Sequence, residues 1–258
     1  MKDLKNISGL ELQLNNFKLI YDAEVYPVEP KPREYTEAIP VYLKKDDHKQ
    51  MLYWMYRYFI AEKDKKKFEE NKLEYDLTVI KNGQIGDEYI KTVGHYHANV
   101  PRNETTYPEV YEVIEGNIEY LLQSKPDKKG KFDVILVEAE AGDKIVVPPG
   151  YGHISINVGK DVAVSSNLQK ADLPAGADYE FYQEHEGGAF YRTEKGLDPN
   201  PKYKINNLRV VRPLEKADFG LEKDKSLYES FLENPKKFDY LLKPQNYDFS
   251  DLFEDIKL

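Results

Sequence analysis

The stretch GDKIVVPPGYGHISIN, residues 142–157, decides the fold. Its opening glycine and its Pro148–Gly150 turn bound a short β-branched strand, Lys144–Val147. In the strand that follows, His153 and Asn157 share one face, because alternate residues of a strand point to the same side. The stretch therefore predicts two short strands joined by a tight turn, with a histidine and an asparagine on one face.

Further strand-like runs lie on both sides of this stretch. Like the stretch's own two runs, Lys144–Val147 and Gly152–Val158, they are short, rich in β-branched or aromatic residues, and separated by turn formers: Tyr75–Ile80, Glu88–His97, Glu109–Leu122, Val134–Ala139 and Val162–Asn167. Strands at this spacing, without helical patterns between them, predict an all-β sandwich or barrel.

A His-x-His pair, His95 and His97, ends one of the predicted strands. On a strand both imidazoles point the same way, so both can reach one metal ion. Imidazole suits zinc, iron, copper and nickel, and an added carboxylate favours manganese and iron. A pair of this kind also arises by chance among ordinary surface or core histidines, so alone it predicts little.

The surrounding motifs resemble those of the cupin superfamily. The pattern Gly142-x5-Pro148-x-Gly150-x2-His153-x3-Asn157 is similar to the second cupin motif at every fixed position, downstream of a His-x-His as that fold requires. The resemblance implies a double-stranded β-helix, or jelly-roll barrel. It also implies one divalent metal ion held by these four ligands: His95, His97, Glu109 and His153.

The first cupin motif is matched only in part. Glu109-x6-Gly116 has the usual spacing, but the 11 residues between His97 and Glu109 exceed the usual number. Tyr89 stands where a glycine is usual, six residues before His95. Two other carboxylates compete with Glu109: Glu112 points to the other face of an alternating strand, and Glu104 lacks a glycine at the right distance. Glu109 is therefore favoured.

The chain divides into an N-terminal arm (residues 1–45), the cupin barrel (46–195) and a helical C-terminal appendage packed on it (196–258). The proline-rich segment Pro27–Pro40 predicts an extended arm. Lys44–Tyr58 fits an amphipathic helix or a strand entry equally well, and the charged run Ala61–Asn71 predicts a solvated hairpin or loop. Glu215–Phe231 has approximately helical spacing. His48 and His185 are expected to be ordinary surface or packing histidines.

Composition excludes several classes of protein. The 258 residues carry a formal charge of −9, which is not the basic footprint of a nucleic-acid-binding protein. There is no cysteine, so disulfides, thiolate metal sites and a cysteine nucleophile are excluded. The N-terminus lacks the apolar run of a signal peptide, and no stretch is apolar enough to span a membrane. A cytoplasmic protein without nucleic-acid or membrane partners is expected.

Three segments resemble more closely the cupin-type glucose-6-phosphate isomerases of archaea and some bacteria: Thr92–His97, Pro108–Gly116 and Val147–His153. The resemblance covers residues 53–179, about half of the chain. It implies a metal-dependent aldose–ketose isomerase that interconverts glucose 6-phosphate and fructose 6-phosphate, a reaction of glycolysis and gluconeogenesis. It also implies a homodimer and an ion that is Fe²⁺ or Mn²⁺ first, with Zn²⁺ or Ni²⁺ as the other choices.

The same resemblance assigns roles in the sugar pocket. It implies Glu109 and Tyr111 as catalytic residues. The residues that it implies for substrate and phosphate binding are Tyr53, Thr78, Thr92, the backbone N–H of Gly94, and Tyr179. Hydroxyl groups and a glycine amide can hold a phosphate dianion without a large basic patch, which suits an acidic protein.

Two departures put the substrate in question. Ala177 stands where relatives carry a histidine, in the segment Gly176-Ala177-Asp178-Tyr179, and residues 167–169 lack the tyrosine expected at a strand end. Tyr179 or Tyr182 is a candidate replacement for that hydroxyl. Arg102, in the long insert, is either an anion contact or an ordinary solvent-facing arginine.

Two other functions fit the same motifs. One is a cupin dioxygenase with iron in the same site, and the other is a non-enzymatic, sugar-phosphate-binding cupin. Thr78 and Thr92 favour the two functions that bind a phosphate, the isomerase and the sugar-phosphate-binding cupin, over the dioxygenase.

Overall fold

Two antiparallel β-sheets packed face to face form the centre of the protein, as seen in a computed structural model that describes residues 1–22, 24–25, 27–46, 48–173 and 179–255. The sequence-predicted Gly176–Asp178 segment lies outside the described residues. The strands are β1 (Lys2–Asp3), β2 (Leu12–Asn15), β3 (Lys18–Tyr21), β4 (Lys31–Glu34), β5 (Met51–Tyr56), β6 (Leu73–Ile80), β7 (Gln84–Ile85), β8 (Glu88–Tyr89), β9 (Glu109–Glu115), β10 (Asn117–Ser124), β11 (Lys131–Glu140), β12 (Lys144–Val147), β13 (Tyr151–Asn157), β14 (Ala163–Lys170), β15 (Phe190–Thr193), β16 (Gly196–Pro199), β17 (Lys204–Pro213) and β18 (Phe253–Asp255). The α-helices are α1 (Lys5–Ser8), α2 (Tyr35–Ala38), α3 (Lys65–Asn71), α4 (Tyr179–Glu184) and α5 (Leu227–Glu233), and 3-10 turns occupy Ile39–Val41, Glu62–Asp64, Ala217–Phe219, Pro235–Leu241 and Pro244–Asn246.

The strand order of the two large sheets is that of a jelly roll. One sheet runs β12-β9-β14-β6-β5-β4 and the other β13-β10-β11-β17-β18. Neighbouring strands are antiparallel except for β11 and β17, which are parallel. The predicted all-β cupin architecture is thereby confirmed, with a jelly-roll sandwich whose sheets face each other across one core.

Two hydrophobic cores explain why so many strand residues are buried. The first lies between the two sheets and contains Tyr120, Leu122 and Ile154. The second lies on the outer face of the six-stranded sheet, where Leu77 and Ile114 pack against the N-terminal hairpin and the C-terminal helices. Six of the seven residues of β9 are therefore buried, without the alternation of buried and exposed residues that a strand with one solvent-facing side would show.

The structure confirms most predicted strands and corrects three segments. Of the predicted strand Glu88–His97, only β8 is a regular strand; beyond it the chain is extended and pairs with β13 through isolated bridges at Lys91 and His95. The charged run Ala61–Asn71 is not a loop but a 3-10 turn and helix α3, because Phe68 is fully buried and anchors it. The helix predicted over Glu215–Phe231 forms only in its last part, as α5.

The arm and the appendage both take part in the large sheets. The arm contributes β4, at the edge of the six-stranded sheet, followed by a single turn of helix, α2. The segment after residue 195 contributes β17, which continues the five-stranded sheet beside β11. No helix among the described ranges is long and apolar enough to span a membrane.

A buried tyrosine ties the C-terminal helix to the barrel and gives a first testable prediction. The Tyr228 hydroxyl accepts a hydrogen bond from the Ala61 N–H at 2.9 Å and donates one to Asp64 at 2.8 Å. Tyr228→Phe leaves a buried N–H without its acceptor, which costs about 2 kcal/mol of unfolding free energy. Urea denaturation measures this loss. Tyr247→Phe, at a tyrosine 37% exposed, is the matched control and should change stability by less than about 0.5 kcal/mol; equal effects of the two variants would contradict the prediction.

Candidate active site

Three separate pieces of chain bring four potential metal ligands together. Glu109 is the first residue of β9, and His153 lies in β13 on the opposite sheet. His95 and His97 lie on the extended segment that follows β8, and His95 pairs with His153 through an isolated bridge. The backbone N–H of His153 donates to the carbonyl of His95 at 3.1 Å, which fixes the two histidines side by side.

The long insert between His97 and Glu109 folds back on itself as a small hairpin. The N–H of Val100 donates to the carbonyl of Thr105, and the N–H of Tyr107 to that of Ala98. This closure brings Glu109 beside His97 in space although 11 residues separate them in sequence. The unusual motif spacing is therefore accommodated by a loop and does not displace the carboxylate.

The ligand atoms of His95, His97, Glu109 and His153 all lie within 4.8 Å of one another. Glu109 Oε2 is 3.2 Å from Nε2 of both His97 and His153, and the Nε2 atoms of His95 and His97 are also 3.2 Å apart. Glu109, His97 and His153 are buried, and His95 is partly buried. These four are the residues that the sequence predicted as metal ligands.

The protonation chemistry of this cluster suits a cation at its centre. His97 Nδ1 lies 3.0 Å from the Tyr107 carbonyl, which places its proton on Nδ1 and leaves the Nε2 lone pair facing the cluster. Burial and the neighbouring His153 and His97 hold the pKa of His95 well below its usual range, so this imidazole is neutral. Burial alone would raise the pKa of Glu109, but the imidazoles of His153 and His97 beside it hold that pKa well below its usual range. Lone pairs and a carboxylate converging without a cation repel one another, and a divalent transition metal fits this donor set.

The cluster opens into a pocket of about 380 Å³, a size typical of small-molecule sites. Most predicted substrate residues line it: Tyr53, Thr78, Thr92, Tyr111 and Tyr179. The Tyr111 hydroxyl is 2.9 Å from His153 Nε2, and the ring of Tyr179 packs on His95 with centroids 5.1 Å apart. Burial raises the pKa of Tyr111 well above its usual range, so its hydroxyl stays protonated and acts as a donor.

Backbone contacts fix two of the residues that line the pocket beside the cluster, Thr92 and Tyr53. Thr92 Oγ1 accepts from the Ser155 N–H at 3.0 Å, and the Tyr53 hydroxyl accepts from the Val93 N–H at 3.4 Å. Gly94 is not among the described residues that line the pocket; it lies between two that do, Val93 and His95. Its α-carbon packs against Tyr182 and Ile154, so the glycine is required for close approach.

Other candidates from the sequence lie elsewhere. Glu104 and Arg102 are exposed in the insert, and Arg102 is not among the described lining residues of the pocket. Glu112 faces the outer core, where it pairs with Lys144 at 2.9 Å. Tyr182 is fully buried beneath Gly94, so of the two tyrosines considered as replacements for the strand-end hydroxyl, Tyr179 is the one that reaches the pocket.

The two remaining histidines have ordinary structural partners. His48 stacks on Tyr35 and contacts Asp46. His185 stacks on Phe181 and approaches its carbonyl at 2.8 Å through Nδ1.

Sequence reasoning missed the charged wall of the pocket. Three cations line it, Lys31, Arg33 and Arg57, together with the carboxylate of Glu74. Lys31 and Arg33 lie opposite Met55 and Tyr53 in the register of β4 and β5, so they face the pocket. Strand alternation alone predicts that Lys31 and Arg33 share one face of β4. It does not predict that this face points into the pocket, because that depends on the pairing of β4 with β5.

Comparison with known proteins agrees with this geometry. The family model described as glucose-6-phosphate isomerase (GPI) matches residues 34–209. The glucose-6-phosphate isomerase of Thermococcus litoralis is 31% identical over 154 residues, which are 58% of this chain and 73% of the relative. That of Thermococcus onnurineus is 31% identical over 153 residues, with the same coverage. Among solved structures, oxalate oxidase in complex with the substrate analogue glycolate is similar over 40% of this chain and 44% of its own, at 20% identity and a TM-score of 0.31. With its jelly-roll fold, its three-histidine, one-glutamate cluster and a family match over more than half of its length, the chain belongs to the cupin-type glucose-6-phosphate isomerase family.

Proposed function

We propose that this protein is a metal-dependent isomerase that interconverts glucose 6-phosphate and fructose 6-phosphate. The observation that carries the proposal is the placement of a largely buried His3Glu cluster in the lining of a pocket that Lys31, Arg33 and Arg57 also line. A protein with a formal charge of −9 gathers Lys31, Arg33 and Arg57 around one cavity, which favours an anionic substrate. A phosphorylated sugar matches both the charge and the size of the pocket.

The lining residues divide into a reacting end and a phosphate end. Glu109 and Tyr111 lie beside the histidines, and Tyr179 covers His95. Thr78 lies opposite Met55 on β5 and Ser165 on β14, away from Glu109 along the sheet. We assign the substrate phosphate to Thr78, Thr92 and the backbone N–H of Gly94, and the C1–C2 end of the sugar to the cluster.

Aldose and ketose differ in the position of two hydrogens. One moves between C1 and C2, either as a proton through an enediol or as a hydride, and one moves between the two oxygens. Glu109 stays ionised and is the proposed participant in hydrogen transfer, and the protonated Tyr111 hydroxyl donates to a sugar oxygen. Tyr53 packs along the carbon chain. A divalent ion, Fe²⁺ or Mn²⁺ by preference and Zn²⁺ or Ni²⁺ otherwise, supplies Lewis-acid stabilisation of the negative charge that develops on oxygen.

Turnover of fructose 6-phosphate tests the proposal. Production of glucose 6-phosphate is coupled to NADP reduction by an auxiliary dehydrogenase, in protein treated with a chelator and then reloaded with Fe²⁺, Mn²⁺, Zn²⁺ or Ni²⁺. We expect chelation to lower the rate at least 100-fold, on the order of the several kcal/mol that a Lewis-acidic ion supplies, and Fe²⁺ or Mn²⁺ to restore it best. Oxygen consumption without isomerisation would instead favour a dioxygenase, and binding without turnover a non-enzymatic sugar-phosphate-binding cupin.

The oligomeric state and location of the enzyme form part of the same proposal. By its resemblance to the family we infer a homodimer that acts in the cytoplasm. Light scattering after size-exclusion chromatography distinguishes one chain of 30.1 kDa from two.

A further inference from the structure

A fully buried aspartate lies behind one wall of the pocket and collects four hydrogen-bond donors. Asp76 is 1% exposed. Its carboxylate accepts from Arg57 Nη1 at 2.5 Å and from the Tyr58 N–H at 2.7 Å. The side-chain amides of Gln169 and Asn167 approach it at 3.3 and 3.5 Å.

This arrangement positions the arginine more than it stabilises the fold. Removing a carboxylate from water is costly, and a buried ion pair is often no better for stability than apolar side chains of the same volume. Here the carboxylate of Asp76 is wholly buried, whereas the Arg57 side chain remains 42% exposed and lines the pocket. The interaction with Asp76 raises the pKa of Arg57 although burial opposes it, so the guanidinium keeps its charge. Asp76 holds Nη1, and Nη2 approaches Met55 Sδ at 3.6 Å. Because a thioether sulfur is a weak acceptor, this half-exposed guanidinium can still donate to a ligand.

The guanidinium lies toward the metal end of the pocket. Asn167 is directly opposite Tyr111 on one side and Asp76 on the other, so these three lie in one row across the sheet. Arg57 lines the same pocket as Glu109 and as Tyr179, the residue whose ring packs on His95. Thr78 lies two residues further along β6 from Asp76, one step away from this row.

We propose that Arg57 is a substrate-binding residue that contacts the C1–C2 end of the sugar, where it stabilises negative charge on oxygen, and that Asp76 is a positioning residue that acts through Arg57. The forked guanidinium can donate to two vicinal oxygens at once, which a single hydroxyl cannot do. This inference rests on the proposed function and adds a recognition group to it.

The proposal also accounts for the missing strand-end tyrosine. Asn167 and Gln169 occupy the segment where the family resemblance leads one to expect it. Their amides point to Asp76, and Gln169 also donates to Glu74 at 2.9 Å. At these positions the strand thus holds Asp76, the anchor of the arginine, instead of presenting a tyrosine hydroxyl.

Binding of two unreactive sugar phosphates tests the proposal without relying on turnover. Metal-loaded protein is titrated calorimetrically with 6-phosphogluconate, which carries a carboxylate at C1, and with sorbitol 6-phosphate, which carries none. Arg57→Ala should weaken the binding of 6-phosphogluconate about 10- to 100-fold, which is the range for losing a hydrogen bond to a charged group. The same substitution should weaken the binding of sorbitol 6-phosphate less than about 3-fold. In the isomerase assay we expect kcat to fall about 100-fold with little change in KM.

A double-variant comparison isolates the role of Asp76. Asp76→Asn keeps the shape but weakens the anchor, so it should reproduce part of the Arg57→Ala defect, and the double variant should be no worse than Arg57→Ala alone. Arg192→Ala is the matched control, because Arg192 also pairs with a largely buried carboxylate, Glu119, at 2.6 and 2.9 Å, but outside the pocket. It should leave both affinities unchanged.

The outcomes separate this inference from the proposed function. If Arg57→Ala weakens the binding of both compounds equally, or leaves both affinities unchanged, the inference is overturned. Turnover by the wild-type protein would still support the isomerase. If the effects of Asp76→Asn and Arg57→Ala on the binding free energy of 6-phosphogluconate are additive in the double variant, Asp76 does not act through Arg57. If wild-type protein neither isomerises nor binds either compound, the sugar-phosphate substrate and the inference fail together.

Discussion

Replacing His153 with alanine is expected to remove both the bound metal and isomerase turnover. His153 is 2% exposed, and its Nε2 atom lies 3.2 Å from Glu109 Oε2, so no other described histidine can take its place. The remaining His95, His97 and Glu109 form an open site that binds a divalent ion weakly. Since a Lewis-acidic ion supplies several kcal/mol of charge stabilisation, we expect turnover to fall at least about 1,000-fold.

Metal content and rate are both measured for the His153 variant. Elemental analysis of dialysed protein should show less than about a tenth of the wild-type metal, and thermal denaturation should confirm that the variant is folded. His185→Ala is the control, since His185 is a partly buried histidine held by Phe181 outside the cluster. Wild-type turnover in a folded, metal-free His153→Ala protein would rule out the proposed mechanism.

Replacing Gly94 with alanine should have the second-largest effect. A Cβ at this position would lie 2.8 Å from Ile154 Cγ1 and closer still to the ring of Tyr182. Both neighbours are buried, Tyr182 completely, so the ring cannot move away. Forcing an extra methyl group into a filled core costs about 3 kcal/mol, which corresponds to a loss of about 10 °C in Tm for a domain of this size.

The Gly94 variant should also lose metal, because the strain falls next to a ligand. The backbone displacement that relieves the overlap moves His95, whose carbonyl accepts from the His153 N–H. We expect metal affinity to fall at least about 10-fold, as it does when the groups that orient a ligand are disturbed. Calorimetry of metal binding to the apo protein measures this.

A compensating variant distinguishes steric overlap from other causes. Tyr182→Leu removes the ring that the new methyl group meets, so Gly94→Ala should cost less in that background than in the wild-type protein. If the alanine costs the same in both backgrounds, the close approach of Tyr182 is not the reason that position 94 is glycine.

The sequence predicted the cluster of three histidines and one glutamate because the motifs that carry these residues are local in sequence. Strand alternation put His95 and His97 on one side, and the turn at Pro148–Gly150 placed His153 at the start of a strand. Even the long insert before Glu109 did not disturb this prediction, since its turn formers close into a hairpin.

The segments that were predicted wrongly, and the pocket residues that were missed, depend on contacts with residues distant in the sequence. The run Ala61–Asn71 has the composition of a loop, yet burial of Phe68 against Phe231 makes it helical. Lys31 and Arg33 reach the pocket because of how β4 and β5 pair, and neither strand alone determines the register between them. Asp76 gives no sequence signal, because a buried aspartate within a strand is recognised only by the donors that surround it.

The parallel pair β11–β17 has a consequence for biosynthesis. Lys131 pairs with Lys204, which lies 73 residues later in the chain, so the central strand of the five-stranded sheet keeps one open side until the chain is more than three-quarters made. Contacts of such long range form slowly, and an unpaired strand edge is a template for association between chains. All four proposed metal ligands precede this point, so a nascent or truncated chain can carry the complete proposed ligand set on a sheet that is still open. We therefore expect chains that end before residue 204 to aggregate, and chaperone demand during synthesis to be set by the arrival of β17 rather than by the metal site.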